Sequence, residues 1–269
     1  MGCASPKDAG KVMLPGVAYH LQEFQEPRLN RVHIMRVELS NPRIKPTVVI
    51  AVDPDGDGPA ETSLTHPLKL AEGPSVLAFV NTNPWDSFPD ATGKKNRHWF
   101  AGQPVDIEGL AISDGHTRSA ASPNPASVWF DESGNVFLGA APVNVTIAEG
   151  TNGFQKIVSE GALVVPEGGT VHPRTAIGVG PHGHVLFLVV VDGRQKQFSE
   201  GMNLYELGQV MIGLGCWTAT NMDGGGSSIM GMRREDGQLH IMNSPSDRHR
   251  GKSSIRPLPM ILTIRRCAP

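Results

Sequence analysis

Residues 172–194 read HPRTAIGVGPHGHVLFLVVVDGR. Two apolar runs, 176–179 and 185–191, flank Pro181-His182-Gly183-His184, a turn, so the stretch reads as a β-hairpin. The second run, VLFLVVV, is apolar on both faces and therefore reads as a central strand of a sheet. It ends abruptly in Asp192-Gly193-Arg194, placing charge at the tip of a buried strand.

The next element is a helix, residues 203–214. Asn203 can cap it, Glu206 can close the capping box, and Leu204, Leu207, Met211 and Leu214 share one face. Gly215 stops it. The strand at 216–222 then runs into Asp223-Gly224-Gly225-Gly226-Ser227-Ser228. Three adjacent glycines are costly to order, so a loop that keeps them needs its backbone close to something. Asp223 supplies a carboxylate, the glycines bare N–H groups, and Ser227 and Ser228 hydroxyls. The loop suits either an anion cradle or a tight turn capped by its own side chains. If the two Asp-tipped strands run parallel, Asp192, Arg194 and Asp223 share one strand-end cleft, joined by Arg174 from the hairpin partner. Guanidiniums match phosphate oxygens, and paired carboxylates suit attack at an anomeric carbon.

The rest of the chain is strand-rich. With 31 Gly and 22 Pro among 269 residues, composition predicts many short strands and few helices. The expected fold is α+β, a mixed, mostly antiparallel sheet with a strand-end cleft. Residues 1–15 read as a flexible entry segment and 16–269 as one domain. Strands are expected at 17–22, 31–39, 47–52, 76–81, 110–113, 143–148, 154–158, 161–165 and 261–265, with hairpins over 128–139 and 229–242. Thr62 or Ser63 is read as the cap of a short helix reaching Leu70. Asn81 ends an apolar strand, where polar side chains are often ligands, and Trp85 and Phe88 could offer a sugar ring an aromatic platform.

A net charge of −2 with dispersed Lys and Arg argues against a nucleic-acid partner. No apolar run of roughly 18 residues is present, so no transmembrane segment is expected. Asp53, Asp55 and Asp57 have the spacing that opens a calcium loop, but Leu64 stands where the bidentate Glu belongs, so a solvated acidic loop is the better reading. Cys3, Cys216 and Cys267 have no metal-ligand spacing, and no metal or other cofactor is expected. The Met1-Gly2-Cys3 start resembles the end of a lipoprotein signal, giving an expectation of an extracytoplasmic place: periplasmic, secreted or lipid-anchored.

HPRTAIGV, LFLVVVDGR, SEGMNLYELGQVMIGLGCWTATNMDGGGSS and HIMNSPSD, in this order, resemble the phosphodiester glycosidase family. VLAFVNTNPW and GLAISDG are weaker matches to its earlier motifs. The resemblance implies hydrolysis of a sugar 1-phosphodiester, N-acetylglucosamine-1-phosphodiester-like, to free sugar and a phosphomonoester, with a small-molecule or glycan phosphodiester as substrate. It implies catalytic roles for Asp223, Asp192 and Arg174, and substrate contacts from Asn81, Arg194, Gly224, Gly225, Gly226, Ser227 and Ser228. Glu200 is a spare acid for the same site. The chain departs from the family at Asn83-Pro84-Trp85 and at Ile255 before Arg256, positions that could line the pocket. Other readings are a non-catalytic cell-surface glycan-binding module and a phosphodiesterase cutting the P–O bond.

Overall fold

The computed structural model describes residues 11–14, 16–89, 92–96, 98–120, 126–140 and 144–267. Cys3 lies outside them. Three sheets carry the fold, and every ladder among the described residues is antiparallel.

Val185–Val191 occupies the middle of an eight-stranded sheet. It pairs with Arg174–Val179 on one side, Arg174 opposite Val191, and with Asn30–Glu38 on the other, Val191 opposite Val32. Side chains alternate across a strand, so its two faces feed two cores. Leu186, Leu188 and Val190 pack with Met35, Val37 and Leu262, while Phe187, Val189 and Val191 pack with Ile34, Leu207 and Met211 beneath the helix. Each such buried aliphatic side chain contributes roughly 1.5–3 kcal/mol. An all-apolar strand is therefore what this position requires.

The helix Leu204–Gly213 starts at the expected place. Glu206 N–H donates to Asn203 Oδ1 at 2.9 Å and Asn203 N–H to Glu206 Oε2 at 3.0 Å, closing the capping box. Arg28 ties Glu206 from outside at 2.7 Å.

The helix leads to Thr218–Asn221, which pairs with Arg174–Val179 and with Gln155–Ser159. Both Val185–Val191 and Thr218–Asn221 are antiparallel to the strand between them. They run in the same direction without being neighbours, and their ends emerge at one edge of the sheet. The interposed strand is what the expectation of two parallel strands lacked.

A second sheet holds His116–Ser119, Ala111–Ser113, Ile147–Asn152, Ser127–Asp131 and Val136–Leu138; a third holds Leu239–Ile241, Met230–Arg233, Val76–Asn81, Met260–Arg266 and Ile44–Ile50. Ile44–Ile50 is an edge strand, where Pro46 costs no ladder bond.

Several local expectations shift. Lys11–Leu14 pairs with Val17–Phe24, inside the stretch read as an entry segment. The strand expected at 143–148 is Ile147–Asn152. Thr62 and Ser63 do not cap a helix. They pair with Val105 and Pro104, and the short helix Pro67–Leu70 starts from His66, whose Nδ1 accepts from Leu68 N–H. Asp53 Oδ1 accepts the N–H groups of Asp55 and Gly56, and its Oδ2 meets Arg118 at 2.7 Å, so this carboxylate is engaged within the protein.

Candidate active site

Thr218–Asn221 delivers the Asp223 loop to the sheet edge, where main-chain bonds fix it. Met222 N–H donates to Thr175 O (2.8 Å), Asp223 N–H to Thr82 O (2.9 Å) and Gly225 N–H to Pro173 O (2.9 Å). Asn81 clamps the centre: its Nδ2 donates to Asp223 O at 2.7 Å, and its Oδ1 accepts from Thr175 Oγ1 at 2.7 Å and Ile229 N–H at 3.0 Å. Both ends of that amide are occupied within the protein, and Asn81 is buried.

The glycines have separate causes. Gly225 takes φ +64 with the Arg194 guanidinium over it at 3.1 Å from a would-be Cβ, a conformation that strains other residues. A Cβ on Gly226 would overlap the Asp247 carboxylate and the Arg256 guanidinium.

The loop floors a cleft of about 290 Å³. Phe154, Asn221, His172, Arg174, Arg194 and Arg256 line it together with the loop. Asp223 is the one carboxylate in this lining among the described residues. Burial pushes its pKa up to about 6, against the opposing pull of the Ser227 hydroxyl, Arg256 and Gly224 N–H; Glu108 adds to the rise. The residue as a whole is half-buried and lines the cleft.

The arginines divide by partner. Arg256 is spent on Asp247, with Nε to Oδ2 at 2.9 Å and Nη2 to Oδ1 at 3.2 Å, and reaches Ser227 Oγ at 3.3 Å. Arg174 donates only to main-chain carbonyls, Met202 O at 2.9 Å and Thr170 O at 2.8 Å. Arg194 meets His172 Nδ1 at 3.4 Å. Neither Arg174 nor Arg194 has a carboxylate partner among the described residues. Burial, then the neighbouring Arg194, lowers the pKa of Arg174; burial and both guanidiniums lower that of His172, which keeps its imidazole neutral. Arg194 also holds φ +58, a left-handed conformation that costs a non-glycine residue about 1 kcal/mol or more.

Asp192 reaches the same sheet edge but turns inward. Its Oδ2 lies 3.0 Å from His33 Nε2, and its Oδ1 accepts Ser244 N–H at 2.8 Å and Asn243 Nδ2 at 3.2 Å. Asn243 Nδ2 also donates to Ser228 O at 3.0 Å, and its Oδ1 accepts Met230 N–H at 2.9 Å. The carboxylate braces the far end of the glycine loop through Asn243.

Glu200 is exposed and outside the cleft lining; its main chain closes the Arg194 turn, accepting Arg194 N–H at 3.1 Å. Ser227 touches Asp223, whereas the buried Ser228 hydroxyl has no partner among the described residues. Trp85 and Phe88 are not in the cleft lining, and the aromatic side chain there is Phe154. His182 and His184 lie at the other end of the hairpin from His172. Sequence reasoning missed Phe154, Asn221 and the place of His172. Asn221 was within reach, since it precedes Asp223 by two on a strand and so shares its face.

The strand-end cleft on this antiparallel α+β scaffold thus holds one acid of raised pKa and two guanidiniums without carboxylate partners among the described residues. The chain belongs to the phosphodiester glycosidase family, whose model matches residues 89–265. No curated protein matches the sequence. Among solved structures, the zebrafish N-acetylglucosamine-1-phosphodiester alpha-N-acetylglucosaminidase catalytic domain, auto-inhibited by its pro-peptide, is similar at 20% identity and TM-score 0.69, covering 98% of this chain and 87% of that one. A hypothetical protein from Synechocystis is similar at 13% identity and TM-score 0.64, over 94% of this chain and 62% of that one. At these identities the likeness is one of fold. No helix among the described residues is long and apolar enough to cross a membrane.

Proposed function

We propose that the domain hydrolyses the bond between the anomeric carbon of a sugar and a phosphodiester oxygen, releasing the free sugar and a phosphomonoester. The observation that carries this reading is Asp223, with its raised pKa, in a cleft whose Arg174 and Arg194 lack carboxylate partners among the described residues. Guanidinium pairs bind phosphate oxygens bidentately, and N–H groups of the glycine loop can donate to the same anion.

In the proposed step Asp223, ionised, accepts a proton from a water molecule. The water oxygen bonds to the anomeric carbon, and the electron pair of the broken C–O bond leaves on the phosphate oxygen. That charge develops between two fixed guanidiniums, so the leaving group needs no protein acid. A single carboxylate in the cleft supports one displacement with inversion. Two-step retention uses a second carboxyl group about 5 Å away. Arg174 and Arg194 hold the phosphate; Asp192 and Asn81 position the loop. N-acetylglucosamine 1-phosphodiesters are the first substrates to test, because the zebrafish relative is named for them.

Hydrolysis in ¹⁸O water tests the bond. Label in the sugar is expected. Label in the phosphate would transfer the assignment to P–O cleavage, and the absence of turnover on any glycosyl phosphodiester would leave a binding module.

A further inference from the structure

Asn221 is 3% exposed, and its Oδ1 is buried with no hydrogen-bond partner among the described residues, although the residue lines the cleft. Leaving such a group unpaired costs about 1–3 kcal/mol, so its persistence at a cleft wall needs an account. Beside it stands Phe154, 52% exposed although it is a large aromatic. The two are locked together: Phe154 N–H donates to Asn221 O at 2.9 Å, and a Cβ on the intervening Gly153 would overlap that same carbonyl.

The sheet register sets where this wall stands. Asn221 is opposite Ala176 on one side and Gln155 on the other. Counting along the antiparallel ladders brings Arg174 level with Asp223 on the first side and Phe154 close to that level on the second. Asp223 therefore lies between Arg174 on one side and Phe154 on the other, with Asn221 two residues before it on the strand that delivers it. A sugar ring presents apolar C–H faces, which pack on aromatic rings, and polar edges, which an amide can pair.

We infer that Phe154 and Asn221 form the sugar subsite of the cleft, Phe154 stacking on the ring and the Asn221 amide meeting a hydroxyl or acylamino substituent, while the phosphate occupies the Arg174–Arg194 side. The inference rests on the glycosidase reading of the cleft and gives that cleft a direction. Phe154 and Asn221 select the sugar, and the arginines accept any phosphate.

Binding measured by calorimetry separates the two. The probes are N-acetylglucosamine 1-phosphate, glucose 1-phosphate and inorganic phosphate, with the wild type, Phe154→Ala, Phe154→Trp and Arg194→Ala. Phe154 is exposed, so its replacement does not empty the core. Phe154→Ala is expected to weaken both sugar phosphates about tenfold and to leave phosphate within twofold; Phe154→Trp restores binding, and Arg194→Ala weakens all three probes. Asn221→Ala, the more disruptive variant, is expected to reduce the preference between the two sugar phosphates. Unchanged sugar-phosphate affinity in Phe154→Ala, or an equal loss for inorganic phosphate, overturns the inference. Wild-type protein that binds the sugar phosphates but turns over no phosphodiester defeats the proposed reaction and not the subsite.

Discussion

His33 Nε2 lies 3.0 Å from Asp192 Oδ2, both side chains almost fully withdrawn from water, and the Tyr19 hydroxyl closes the imidazole from behind at 2.8 Å from Nδ1. A carboxylate held on one side by a histidine and on the other by Ser244 N–H and Asn243 Nδ2 has no free edge for a substrate. Asp192→Asn keeps an oxygen for Ser244 and Asn243 and is expected to retain at least a tenth of wild-type kcat. Asp192→Ala strands those donors and is expected to cost about 3 kcal/mol of stability. Urea unfolding and steady-state rates measured side by side check both; loss of kcat in the Asn variant to the level of an Asp223 variant would return Asp192 to the chemistry.

Asp223 sets the acid limb of the rate profile. Its pKa is raised to about 6, and the proposed step uses its ionised form, so kcat/KM is expected to fall with unit slope as pH drops below 6. Asp223→Asn is expected to lose roughly 10²-fold or more in kcat with an unchanged circular dichroism spectrum. A rate that rises as pH falls through 6 would assign Asp223 to acid catalysis instead.

Asn81 tests how the loop is held. Asn81→Ala removes bonds to Asp223 O, Thr175 Oγ1 and Ile229 N–H at once. It is expected to destabilise the fold by about 3 kcal/mol and to lower kcat more than it raises KM, because the displaced group is the carbonyl of Asp223 itself. An altered KM with normal stability would make Asn81 a substrate ligand.

Glu149 lies far from the cleft, buried between sheets with Oε2 accepting Val48 N–H at 2.9 Å. Burial raises its pKa from 4.5 to about 6, with Lys45 pulling the other way. A raised folded-state pKa favours the protonated form, so its contribution is full below pH 4.5 and is lost as pH rises through 6. The loss is at most ~2 kcal/mol. Glu149→Gln, permanently neutral, should therefore gain on the wild type by up to that amount between pH 4.5 and 7. A pH-independent difference in thermal unfolding between the two proteins would refute this.

Much of the frame was legible because it is local. The all-apolar run at 185–191 identified the central strand, and Asn203 with Glu206 identified the helix start. Both signals act within one element. The side chains at strand ends were less legible, since their direction is chosen by distant partners. Asn81 was read as a ligand because it ends a strand, yet its amide is claimed by a carbonyl at Asp223. The family resemblance implies a catalytic Asp192, and its carboxylate is held from within by His33, Ser244 N–H and Asn243. Thr62 and Ser63 suit a helix cap or a strand equally well, and pairing with Val105 and Pro104 decides between them. Arg174, Arg194 and Arg256 are scattered in the chain, and antiparallel pairing gathers them at one edge.

Among the described residues Ile44–Ile50 has a single ladder partner, Met260–Arg266, which follows it by some two hundred positions in the sequence. During synthesis the early strand must therefore wait for Met260–Arg266 to be made, with the N–H and C=O groups that face that partner unpaired. Open strand edges of this kind recruit other chains, and pairing across such a span is slow. Nascent-chain solubility, more than equilibrium stability, is the property on which this topology makes the protein dependent. A chain without Met260–Arg266 would expose that edge permanently.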